Sequence, residues 1–385
     1  MLLKKEHQEF REKIRAFALE KVAPHAATLD IEQRFPKEFL PMLAEMGLMG
    51  MVVSEDYGGS KVDTVSYSIA VEELSRVCGS TGITIAAHNS LGCFPIYKFG
   101  MEEQKKKYLP RGTKGGELLA FGLTEPDAGS DAGATKTTAV KQGDHWILNG
   151  TKCFITSASH AFASIATART SDAPGVKAIS SFILEKDWDG YEVGKKENKM
   201  GLRGSDTAFL HFTDVKVPLD NQLGGDGEGF KQFMMTLDGG RISIGAMALG
   251  LAQGAYDCAL KYAGVTNVNG KPLGITSQAI QFKLADMATE IEAARHMVYG
   301  ASQMKDAGVK FSKESAMAKL YASEVGHRVA YEAIQILGDV GFFTNHYPAE
   351  RILRDVKLCE IGEGTSEVQR IVIAREVLKS VLPEK

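Results

Sequence analysis

Glu363 stands between two glycines in the stretch CEIGEGTSEVQR, residues 359–370. A carboxylate placed there can be a solvated acid near a helix end. It can also be a general base, at a point where absent side chains let a ligand approach the backbone. Local grammar predicts a helix beginning near Glu367. Ser366 is a suitable N-cap, Gln369 follows at capping-box spacing, and Val368, Ile371, Val372 and Ala374 form an apolar stripe. A second chemically suggestive stretch is FGLTEPDAGSDAGATKT, residues 121–137. Pro126, Asp127, Gly129 and Asp131 are turn formers that suit a plain surface loop. Yet the segment follows an apolar strand and presents Thr124, Ser130 and several backbone N–H groups, which can bind a phosphate or the polar edge of a heterocycle. Local grammar leaves both readings of both stretches open.

Composition removes several classes of function. The chain has 385 residues, 44% hydrophobic and 24% charged, the balance of a globular protein with a large buried core. A net charge of -3 gives no electrostatic case for nucleic acid or an anionic membrane. The cluster Lys105-Lys106-Lys107 follows Glu102 and Glu103 and reads as a solvated helix face. Cys78, Cys93, Cys153, Cys258 and Cys359 form no CxxC pair, and their odd number argues against a disulfide framework. They are expected to be reduced core thiols in a cytoplasmic protein. The nine histidines show no metal-ligand spacing, so no metal site is expected. The N-terminus carries charges every few residues, unlike a signal peptide, and no apolar run approaches the length of a membrane span. There is no nucleotide-binding strand–GxGxxG–helix unit, no Walker A sequence and no GxSxG elbow. GGDGEG at 224–229 reads as a connector.

Three blocks must position these stretches. Residues 1–117 repeat apolar residues at helical intervals, as in EFREKIRAFALEKVAPH and VSYSIAVEELSRV. Near residue 118 the pattern turns to alternating or β-branched runs: HWILNGTKCFIT, AFASIATAR, KAISSFILE and TAFLHFTDVKV. Asn149-Gly150 predicts a hairpin turn within this region. From Gly229 the helical period returns, with Ile280, Leu284, Met287, Ile291 and Ala294 on one face. The expected organisation is an α+β multidomain chain, with an N-terminal helical domain (1–117), a middle β domain (118–228) and a C-terminal helical bundle (229–385).

VEELSRVCGSTG, GLTEPDAGSD, ILNGTKCFIT, KMGLRGSDT, LDGGRISIGAMALGLAQGA, IQFKLADMA and EGTSEVQR, in that order, make the chain resemble the acyl-CoA dehydrogenase family over nearly its whole length. It looks closest to the short-chain, butyryl-type branch. The resemblance implies a C-terminal four-helix bundle, with FAD held between it and the β domain, and a homotetramer. It implies α,β-dehydrogenation of a short-chain acyl-CoA thioester to the trans-2-enoyl-CoA, with electrons passed to electron-transferring flavoprotein. Glu363 matches the catalytic base. Leu123, Thr124, Phe154, Ile155 and Thr156 match residues on the flavin, and Ser130 one that serves cofactor or thioester. Gln335 and Gly338 match a loop reaching a neighbouring subunit's FAD, while Thr365 and Glu367 match the turn beside its adenosine-diphosphate end. Asp238, Arg241 and Gly364 match the substrate side, although Asp238 and Arg241 also suit a helix-start acid and a structural ion pair. Some relatives carry the base at the position of Gly240, which here has no side chain.

The chain also departs from the family pattern. Phe154 stands where Trp is frequent, Gly362 where Tyr is common, Thr266 for an Arg, Asn269 for a Phe and Asp339 for a Gly. GFFTNHYPAE is one residue longer than the usual connection. The last three substitutions concern the intersubunit face of the cofactor site and imply a looser hold on the FAD pyrophosphate. Beside the dehydrogenase reading therefore stands a degenerate relative, binding CoA thioesters or a partner with weak or no flavin. An oxidase is a third alternative.

Overall fold

In a computed structural model, which describes residues 3–379 and 381, helices are followed by a sheet and then by helices again. This is the expected α+β order. The N-terminal helices include Lys5–Phe17, Thr64–Val77, Gly79–Ala87 and Glu102–Thr113. Two acids on Thr64–Val77, Glu72 and Glu73, are buried and would be costly without partners. Arg15 grips Glu73 at 2.8 Å, while Glu72 receives Arg11 at 3.3 Å and Arg295 at 3.0 Å. A single helix thus ties the first residues of the chain to its C-terminal third.

Eight strands follow: β1 Leu118–Gly122, β2 Thr138–Gln142, β3 His145–Thr156, β4 Ala161–Arg169, β5 Ile179–Glu185, β6 Tyr191–Val193, β7 Thr207–Pro218 and β8 Gln222–Leu223. They form one sheet in the order β6-β7-β3-β2-β4-β5-β8, with β1 added parallel to β4. The expected hairpin at Asn149-Gly150 is wrong. β3 runs straight through it, and the tight turn lies at residues 143–144, between paired Gln142 and His145. Asn149 instead exchanges two hydrogen bonds with Asp214 of β7, and the β3–β7 register shifts between Leu148 and Gly150. The dipeptide marks a bulge, because a third strand is already paired there. The other Asn-Gly, at 269–270, does make a two-residue turn, with both residues at positive φ and Val268 paired to Lys271.

The longer C-terminal helices are Gly229–Val265, Gln278–Asp306, Ser312–Leu337, Ala349–Ile361 and Ser366–Leu378. On Gln278–Asp306 the expected face is buried at Met287, Ile291 and Ala294 and half-buried at Ile280 and Leu284. The central helix, Gly229–Val265, lies so close to Thr64–Val77 that a methyl on Gly250 would collide with the Glu72 carbonyl oxygen, and one on Gly254 with that of Arg76. It also reaches the sheet: Phe233 stacks on Phe121 of β1 with centroids 4.0 Å apart. A further correction concerns the last helix. Its N-cap is Thr365, whose hydroxyl accepts from Val368 N at 3.3 Å, and Ser366 is already helical. Among the described residues no helix is long and apolar enough to cross a membrane.

Gly250→Ala is expected to destabilise the protein by about 1–3 kcal/mol, the usual cost of overpacking where backbone must move. A thermal or denaturant midpoint indistinguishable from the parent would contradict the close helix approach.

Candidate active site

Helix Ala349–Ile361 closes with Gly362 N donating to the Leu358 carbonyl at 2.8 Å. Glu363 (φ 54°) and Gly364 (φ 90°) then both take left-handed backbone, which reverses the chain within a few residues. For Glu363 that conformation is strained, a feature that collects at functional sites. The turn is held from outside. Gln369 Nε2 donates to the carbonyls of Glu363 (3.2 Å) and Gly364 (2.9 Å), and Lys319 Nζ donates to the Gly364 carbonyl at 2.7 Å. Gln369 therefore serves the turn rather than the expected capping box. The Glu363 N–H has no hydrogen-bond partner among the described residues.

The Glu363 side chain points at the central helix. Its Oε2 is buried without a hydrogen-bond partner among the described residues, and a methyl on Gly240 would collide with it. Leu91, in the π-helical segment His88–Cys93, borders the same spot at 3.4 Å. Burial raises the Glu363 carboxyl to about 7, against the opposing pull of Lys319 and then Arg241. Arg241 is only 6% exposed and donates to Asp238 Oδ1 at 2.5 Å; Ser312 occupies the other Asp238 oxygen at 2.6 Å. Both carboxylate oxygens of Asp238 are thus engaged within the chain, as an ion pair that holds Arg241.

The sheet supplies a second group of residues. Leu123 is buried in a cluster with Phe233 of the central helix, and Leu237 packs against it. Thr124 accepts from Cys153 N at 2.8 Å, which sets it beside β3. There a register shift between Lys152 and Ile155 throws Phe154 outward: it takes φ 60° and is 64% exposed, while Ile155 is buried and Thr156 pairs with Thr207. Ser130 is exposed on the loop. Sequence reasoning did not single out what anchors this loop. Lys152, fully buried, donates to Glu125 at 2.6 Å and to Thr167 at 3.0 Å, and Glu125 accepts from Lys136 N at 2.6 Å. Burial lowers the Lys152 ammonium to about 8 even so. The usable signal was a lysine inside an apolar strand, as with Lys319 inside an apolar helix.

Glu363 therefore meets Gly240, with Arg241 within electrostatic reach, and Thr365 and Glu367 begin the helix that follows the turn. Leu123, Thr124, Phe154, Ile155 and Thr156 gather where β1 and β3 end, and the Phe121–Phe233 stack joins the sheet to the central helix. Gln335 and Gly338 are exposed and lie apart: Gln335 is roughly 24 Å along its helix from Lys319 at 1.5 Å per residue. Thr266 ends the central helix, Asn269 sits in the exposed hairpin turn, and Asp339 accepts from Val340 N at 2.9 Å.

Folding raises the Glu363 carboxyl above its ordinary 4.5, so the folded chain holds that proton more tightly than the unfolded chain between about pH 4.5 and 7. Stability from this site is therefore lost as pH rises through that window. Glu363→Gln, neutral throughout, should match the parent near pH 4.5 and exceed it by up to about 3 kcal/mol above pH 7. Denaturant titrations at pH 5 and 8 check this, and a gain independent of pH would refute it.

Residues 4–116, 120–215 and 227–378 match the family profiles described as acyl-CoA dehydrogenase N-terminal, middle and C-terminal domain. The chain is 48% identical to the short-chain specific acyl-CoA dehydrogenase, mitochondrial, of Mus musculus, over 97% of this chain and 90% of that one. It superposes on butyryl-CoA dehydrogenase from Megasphaera elsdenii with a TM-score of 0.95 and 43% identity, covering 98% of this chain and 99% of the other. A chain in the solved structure described as "Electron transferring flavoprotein of Acidaminococcus fermentans: Towards a mechanism of flavin-based electron bifurcation" gives a TM-score of 0.96 at 46% identity, covering 98% and 99%. Three matched domains in sequence, and identities this high across nearly the full length, leave one conclusion: the chain belongs to the acyl-CoA dehydrogenase family.

Proposed function

We propose that Glu363 is the general base that removes the α-proton of a short-chain acyl-CoA thioester, in a flavin-dependent α,β-dehydrogenation that yields the trans-2-enoyl-CoA. The chain is an oxidoreductase acting on the CH–CH group of acyl-CoA, in a family of FAD-dependent flavoproteins. One observation carries the assignment: a buried carboxylate oxygen without a hydrogen-bond partner, laid against a glycine of the central helix. A carbon acid is a very weak acid, so its base must be free of competing donors and of water. An acid held near 7 balances occupancy of the base form against basicity. The free Glu363 N–H can donate to the thioester carbonyl as enolate charge develops, and Arg241 adds positive charge nearby. Asp238 acts through Arg241 rather than on the CoA portion.

The residues present fit FAD. Hydroxyls of Thr124, Ser130 and Thr156 lie in the segments around an outward-facing Phe154, a donor set suited to a planar ring with polar edges and a phosphate tail. When bound, FAD supplies the hydride acceptor for the β-carbon. Leu123, Thr124, Phe154, Ile155 and Thr156 would hold its ring, Ser130 the cofactor or the thioester, and Thr365 and Glu367 its adenosine-diphosphate end. Gln335 and Gly338, remote from their own chain's Glu363, would serve a neighbouring copy in a homotetramer. That assembly is supported by the exposed Val265, Phe282, Tyr331, Phe342 and Phe343 of the C-terminal helices and loops. Electron-transferring flavoprotein is the proposed acceptor, on the likeness to a chain solved under that protein's name. Division at 117/118 and 228/229 is supported by the start of β1 at Leu118 and of the central helix at Gly229. Five buried free thiols support a cytoplasmic setting. A flavin-poor binding protein would have no use for the unpartnered carboxylate.

Glu363→Gln should retain flavin and thioester binding while lowering turnover by at least ~10²–10⁴-fold. Activity within a few-fold of the parent would remove the assignment. Across butyryl, octanoyl and isovaleryl thioesters, kcat/KM should be highest for butyryl. A clear preference for octanoyl would reject the short-chain reading, since each methylene is worth only ~1–3 kcal/mol in an apolar pocket.

A further inference from the structure

We propose that Lys319 is a positioning residue for the base, fixing the Gly364 carbonyl and supplying across the turn the charge that lets Glu363 ionise in a closed site. The inference rests on Glu363 being the base. Lys319 belongs to the helix Ser312–Leu337 and is fully buried, a rare state for lysine without a charged partner. It has no carboxylate within ion-pair distance among the described residues; the one hydrogen bond of its ammonium among them is to the Gly364 carbonyl, at 2.7 Å. That carbonyl sits one peptide after the base, between the strained residue and the Thr365 cap. A lysine that only filled space there would be replaced without loss by an apolar side chain.

The titratable groups around Glu363 come from three elements. Arg241 on the central helix is one cation, but Asp238 takes it at 2.5 Å. Tyr67 of Thr64–Val77 lies within electrostatic reach as a neutral phenol that donates to the Ala86 carbonyl. Lys319 is the remaining cation, and the Cys359 thiol, Glu363, Arg241 and Glu360 are the groups that face it in turn. Lys319 exerts the larger pull on the carboxylate and Arg241 the smaller. Burial also brings the Lys319 ammonium down to about 8, so its charge is present at neutral pH and fades above that.

The test uses the holoenzyme. Lys319→Gln keeps an N–H for the Gly364 carbonyl and removes the charge, Lys319→Met removes both, and Lys319→Arg keeps the charge. Ionisation of Glu363 is read directly, as the protonated-carboxyl infrared band that disappears in Glu363→Gln. The acid limb of kcat/KM with butyryl-CoA is measured in parallel. The band's midpoint should rise by about one pH unit or more in Lys319→Gln, as for loss of a nearby opposite charge, and stay within a few tenths in Lys319→Arg. An unshifted midpoint in folded Lys319→Gln overturns the proposal. So does failure of both uncharged variants to give soluble enzyme, which would assign the Lys319 charge to holding the fold rather than to tuning Glu363. If the band shifts while the acid limb stays put, Lys319 tunes Glu363 as proposed and Glu363 is not the base.

Discussion

The site depends on one uncomfortable contact: a glutamate oxygen, stripped of water and hydrogen bonds, pressed onto the bare backbone of Gly240. Burying a carboxylate this way is unfavourable, and the surrounding structure over-determines it. Glycine at 240 makes the room, and the left-handed turn aims the side chain. Gln369 and Lys319 stop the turn from relaxing. Removing any one of these would let the acid find water or a partner, and with it an ordinary carboxylate acidity.

A similar device appears on the sheet side. There the charge is a lysine, Lys152, fully buried and joined to Glu125, which in turn gathers two backbone N–H groups of the loop. Each half of the site thus has a buried lysine beneath an irregular segment. Both lysines hold carbonyls, at Leu123 and Gly364. Irregular backbone next to a ligand leaves carbonyls that no ladder satisfies, and a long ammonium from a regular element reaches them.

Much of this was legible in the sequence. The helix–sheet–helix order follows from hydrophobic period alone, and the stretch around Glu363 declared itself by an acid among glycines. The ordered motifs, not periodicity, linked that acid to Leu123, Thr124 and Phe154. What sequence misjudged were short-range signals decided by long-range partners. Asn149-Gly150 has the grammar of a turn, yet β7 sits beside it and makes it a bulge. Ser366 and Thr365 are equally good caps, and the strained turn before them decides for Thr365. The engagement of Asp238 is set partly by Ser312, a residue 74 positions away that no local pattern could point to.

The buried Glu72 has a consequence for how the chain comes into being. Its partner Arg295 lies 223 residues further along, so the N-terminal helices leave the ribosome long before that charge exists. Until then Arg11 is the only one of its two arginines available, and Glu72 cannot settle into its buried position fully neutralised. The first third of the protein therefore waits, incompletely closed, for the C-terminal helices. Consolidation around Glu72 thus depends on a residue made late, and its helix is exposed to misassembly while the rest is made.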